Sequence, residues 1–130
     1  MPVFTKMQDG VLYMVVDGDY TSDELRRKGA AALEDPATPT PVPVLVDMSG
    51  AAGLRKKGVE AIRGTTDFFS ARAEYVERVA LLAPSDLAYG VMNQGAVFAE
   101  GRGLEARPFR TRAEALEWLQ RSSGGEAPAP

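Results

Sequence analysis

VLVDMSGAAGL, Val44 to Leu54, is the stretch on which the fold turns. An apolar run broken by Asp47-Met48-Ser49-Gly50 reads as a strand that delivers its end to the rim of a sheet. That end offers three chemistries: a serine open to phosphorylation, a glycine-bearing loop for a phosphate, and an aspartate for a metal. The plain alternative is a strand running into a turn.

Downstream, Val59, Ile62, Thr66, Phe69 and Ala73 keep helical spacing, and VERVALLA (Val76–Ala83) follows as a second strand, apolar enough at its end to be buried on both faces. Pro84-Ser85 closes that strand and opens a helix with Leu87, Val91, Met92, Gly95 and Phe98 on its inner side. Leu104 to Phe109 is the last strand, with Pro108 marking an edge or an end. Thr111-Arg112-Ala113-Glu114 is a capping box for a terminal helix that turns Ala115, Trp118 and Leu119 inward.

Upstream, Val3–Met7 and Val11–Val16 flank Gln8-Asp9-Gly10, and Asp-Gly between apolar runs signals a hairpin. Thr21 with Glu24 three residues on is another capping box, for a helix reaching Glu34 with Leu25, Gly29, Ala32 and Leu33 on one face. Asp35 to Pro43 holds four prolines and is expected as an extended connection, neither helix nor central strand. The order β-β-α-β-α-β-α-β-α calls for one α/β domain, residues 1–121, with a mixed, mostly parallel sheet covered by helices. Residues 122–130, rich in Ser, Gly, Ala and Pro, have nothing to bury and are expected as a disordered tail.

Composition limits the chemistry. The 130 residues, 45% hydrophobic, suit a single core. Eighteen acidic against fifteen basic side chains leave a net charge of −3, which argues against nucleic acid as a partner. Without cysteine or histidine, thiol nucleophiles, Ser-His-Asp triads and zinc or haem sites built on those residues are closed, and no cofactor is expected. No apolar run approaches the ~20 residues of a membrane span, and MPVFTKMQDG lacks the basic-then-apolar pattern of a signal peptide, so a cytoplasmic protein is expected.

Two groups of residues are candidates. Asp47, Ser49 and Gly50, with Ser85 at the next strand's end, would meet where ligands gather in open α/β sheets; the alternative is a turn and a helix cap. Val59, Ile62, Phe68 and Phe69, behind the basic cluster Arg55-Lys56-Lys57, would line an apolar ligand pocket or a partner surface; the alternative is an ordinary amphipathic helix. The order Asp47, Ser85, Arg107-Pro108 mimics response-regulator receivers, but the acidic pair after the first strand, one strand–helix unit and the lysine before proline are missing.

The hairpin leading to a capped helix, VPVLVDMSG, VERVALLAPSDLAYGVMNQGAVFAE and the ending RPFRTRAEALEWL together resemble the SpoIIAA-like proteins, stand-alone bacterial relatives of STAS domains, the anti-sigma-factor-antagonist fold, also compared with CRAL-TRIO lipid-binding domains. The resemblance spans about residues 3 to 121. It implies a small α/β sandwich with helices mainly on one side of a mixed sheet, and a non-enzymatic role; the leading functional expectation is a regulatory interaction module that docks a protein partner and self-associates as a dimer. In such antagonists a serine in an Asp-Ser-Ser-Gly turn is phosphorylated; this chain lacks that tetrapeptide, and Ser49, followed by glycine, comes nearest. The second function the resemblance leaves open is a carrier or sensor of a lipid or other small apolar ligand.

Overall fold

Asp9 and Gly10 both adopt left-handed backbone, with φ of 54° and 79°. That is the type I′ turn whose twist matches a hairpin, and it joins β1 (Val3–Gln8) to β2 (Val11–Gly18) in an unbroken antiparallel register from Gln8↔Val11 to Val3↔Val16. In this computed structural model, residues 3–18, 21–39, 41–51, 64, 67–82, 90 and 105–123 are described.

Helix α1 (Ser22–Glu34) starts where Thr21, in extended conformation, accepts a hydrogen bond from the Glu24 amide at 3.1 Å. Its last turn is closed by Thr38, whose hydroxyl donates to the Ala32 carbonyl at 2.7 Å, and by an Asx turn in which Asp35 accepts from the Ala37 amide. β3 (Val42–Ala51), β4 (Val76–Leu82) and β5 (Ala106–Phe109) complete a five-stranded sheet in the order β1-β2-β3-β4-β5, parallel from β2 onward. Between β3 and β4, residues 64 and 67–70 are helical and Ala73–Tyr75 form a 3-10 turn; between β4 and β5, residue 90 is helical. Helix α2 (Arg112–Ser123) follows β5 and runs two residues into the stretch expected as tail. Residues 124–130 lie outside the described residues.

Two boundaries differ from the sequence reading. Pro43 lies inside β3, a strand flanked on both sides. It is tolerated because pairing with β2 begins only at Val44, and because the register with β4 shifts between Val42 and Pro43, so the missing N–H falls at an irregularity in the ladder. At the other end β3 does not turn at Ser49-Gly50. It continues to Ala51 against β2, with a bulge where Val15↔Asp47 is followed by Asp17↔Gly50.

Two cores form, one on each face of the sheet. Alternation along the strands sends Leu12, Met14, Val44, Val46, Met48, Val79 and Leu81 to the face covered by Leu25 and Leu33 of α1 and by Phe68 and Phe69. The opposite face holds Val11, Tyr13, Leu45, Ala80 and Leu82 under Ala115, Trp118 and Leu119 of α2. Each large side chain removed from water in this way contributes about 1.5–3 kcal/mol. Among the described residues, no helix is long and apolar enough to cross a membrane.

Candidate functional site

Asp47 shares the face of Leu45, and immediately before the bulge its carboxylate turns under the start of α2. Arg112, the first residue of that helix, donates from Nη2 to Oδ2 of Asp47 at 2.7 Å. The Asp47 side chain is 6% exposed and that of Arg112 51% exposed, so a nearly dry carboxylate is answered by a half-solvated guanidinium. The guanidinium carbon lies 5.8 Å from the centre of the Tyr13 ring, which Lys6 approaches at 5.4 Å. The carboxylate expected to face a ligand thus ties a strand to a helix.

What positions Arg112 is local. Thr111 accepts from the Glu114 amide at 3.3 Å, and its hydroxyl donates to Oε1 of Glu114 at 3.2 Å, so Thr111 caps the helix and the two side chains are tied to each other. At α1 Thr21 caps in the same way, while the buried Glu24 leaves Oε2 without a hydrogen-bond partner.

Ser49 and Gly50 lie within β3, where, among the described residues, the pairing with β4 runs to Asp47↔Leu82 and that with β2 runs to Gly18↔Ala51. Ser85, Val59 and Ile62 lie outside the described residues. Phe68 and Phe69, 3% and 1% exposed, are core residues, with ring centres 5.0 Å apart edge-to-face and Arg72 4.4 Å above the Phe68 ring. They present no open surface.

Trp118 forms a second cluster. Arg78 and Arg107 approach its ring at 4.3 and 5.4 Å, Phe109 lies at 5.4 Å, and Arg78 pairs with Glu105 at 2.8 Å. A groove of about 460 Å³ beside it is lined by Arg107, Pro108, Phe109, Arg110, Glu114, Glu117 and Trp118, a mixed-charge lining unlike a lipid cavity. Among the described residues, no group of three or more carboxylates is placed to hold a metal ion.

Sequence reasoning found Asp47 but not Arg112. The two lie 65 positions apart, and the one available signal was that an arginine stood at the first helical position after the last strand.

No family model matches the chain, and no curated protein matches it. Among solved structures, it is similar to an uncharacterised protein from the DUF3478 family with a SpoIIAA-like fold from Shewanella loihica PV-4. That likeness has 17% identity, covers 90% of this chain and 91% of the other, and gives a TM-score of 0.55. The fold is therefore SpoIIAA-like, as the sequence resemblance implied. The comparison with CRAL-TRIO domains finds no support in these matches.

Proposed function

We propose that this chain is a regulatory protein–protein interaction module of the STAS/SpoIIAA-like type, without catalytic activity of its own, which docks a protein partner at the carboxyl edge of the sheet. Asp47, Ser49, Gly50 and Ser85 are the residues assigned to that edge. The observation that carries the reading is the Asp47–Arg112 pair. A general base or metal ligand has to keep an oxygen for substrate or ion, whereas this carboxylate is buried and spent on holding α2 against β3, which suits a rigid recognition edge. Ser49 follows two residues later in the strand, and a phosphate there would add about −1.5 to −2 of charge, enough to disrupt a docked partner. Cytoplasmic location belongs to the same proposal.

The alternative, a carrier of a lipid or other apolar molecule held against Phe68 and Phe69, has less support. Both rings are already packed within the core, with the Phe68 ring close against Gly29.

Native mass spectrometry of the protein purified gently from its own host, alongside its denatured intact mass, separates the two. A protein complex that Ser49→Asp dissociates supports the switchable module, and a complex indifferent to that change removes the switch. A small molecule released on denaturation, and absent from Phe68→Ser, replaces the module with the carrier.

A further inference from the structure

The groove beside Trp118 has two walls of opposite sign. β5 and the residue after it supply Arg107 and Arg110, α2 supplies Glu114 and Glu117, and all four are exposed; the half-buried Phe109 and the buried Trp118 complete the lining. The chain reverses direction at Thr111, so Arg110 is level with Glu114, and Arg107, 5.4 Å from the Trp118 ring, is level with Glu117. The backbone here takes no further strand. Val79 donates to the Glu105 carbonyl at 2.9 Å, so Arg107 and Phe109 turn their backbone groups toward β4, while Pro108 turns outward with no N–H to give and is itself buried. Whatever lies against this groove is therefore held by side chains.

We propose that this groove is closed by the same groove of a second copy of this chain, about a two-fold axis parallel to β5. Charge decides both the occupant and the axis. A partner of a single sign would meet one wall with like charge, whereas a surface that carries the two signs on separate walls is its own complement. An axis along the groove exchanges the walls, so the arginines of each copy face the glutamates of the other. An axis across the groove would set arginine against arginine and glutamate against glutamate. With the levels preserved, Arg110 meets Glu114 of the second copy and Arg107 meets Glu117 of the second copy, each contact occurring twice by symmetry.

Neither copy has to give up a contact it already makes. Arg107 keeps its place beside the Trp118 ring, and Glu114, whose Oε1 accepts from Thr111, offers its second oxygen. The joint also covers the part of Phe109 that each groove, about 460 Å³ in volume, leaves to water. Exposed ion pairs contribute little one by one, and such a contact is smaller than a standard interface, so the dimer is expected to form only in the micromolar range or above.

The inference goes beyond the proposed function. Ser49 lies two strands away, on β3, and takes no part, so either idea fails without the other. Sedimentation equilibrium from micromolar to millimolar concentration reads the mass of the full chain, of Arg107→Glu, of Glu117→Arg, and of an equimolar mixture of the two variants. The wild type is expected to approach twice the chain mass at the top of the range. Each variant alone sets like charges opposite one another at two contacts and weakens the dimer by at least about tenfold. In the mixture every such contact again joins an arginine to a glutamate, and the dimer returns, a rescue that damage to either fold would not give. A wild type that is monomeric throughout, a single variant as dimeric as wild type, or a mixture no more associated than its components would each overturn the proposal.

Discussion

Arg112 at the start of α2 holds Asp47 of β3 across 2.7 Å, and the exposure of the two side chains is unequal: the acid is almost dry, the base half in water. The pair welds α2 to the middle strand of the sheet.

Because the buried partner is the acid, removing the base is the costly change. Arg112→Ala is expected to destabilise the fold by about 1–3 kcal/mol, less than the loss from a fully buried pair because Arg112 is partly solvated. Arg112→Lys, which lacks the planar fork, recovers part of that. Urea unfolding measures both, and an Arg112→Ala protein within about 0.5 kcal/mol of wild type would show the weld to be idle.

Gly29 sits mid-helix, where alanine would ordinarily add about 1 kcal/mol. Here a Cβ would lie 2.8 Å from Cζ and 2.9 Å from Cε2 of Phe68, and 3.1 Å from Cε of Met14. The Phe68 ring has Phe69 at its edge and Arg72 over its face, so it has little room to retreat. Gly29→Ala is expected to lose about 1 kcal/mol net as overpacking exceeds propensity. In a Phe68→Leu background the same change turns neutral or favourable. Thermal melts of the four proteins decide it; a stabilising Gly29→Ala in the wild type would mean that the helix is not pressed against that ring.

Thr111→Ala removes a helix cap and is expected to cost about 1 kcal/mol, lowering the melting temperature by roughly 4 °C for a chain of this size. Arg27→Ala breaks the exposed pair with Asp23, which spans 3.2 Å along α1, and is expected to change stability by no more than about 0.5 kcal/mol. If the two variants melt together, capping is not what sets the start of α2.

Local chemistry made much of this legible in the sequence. The Asp9-Gly10 hairpin, the starts of α1 and α2 at Thr21 and Thr111, the inward Ala115, Trp118 and Leu119, and the strand at VERVALLA all rest on turn conformation, capping or periodicity, which operate within a few residues. Pro43 and Ser49 mark the limit of such short-range signals. Their local preferences point to a loop and a turn, yet the ladder to neighbouring strands absorbs a proline at a register shift and carries the chain through a bulge to Ala51.

The sequence by itself determined the class of fold, through the alternation of strands and helices, and closed cysteine nucleophiles, Ser-His-Asp triads and metal sites built on histidine or cysteine. Only the tertiary structure decided what the candidate residues do. Whether Asp47 faces a ligand or Arg112, and whether Phe68 lines a pocket or presses on Gly29, depends on elements tens of residues apart meeting across a sheet. Burial and pairing are properties of that meeting and leave no short-range pattern in the chain.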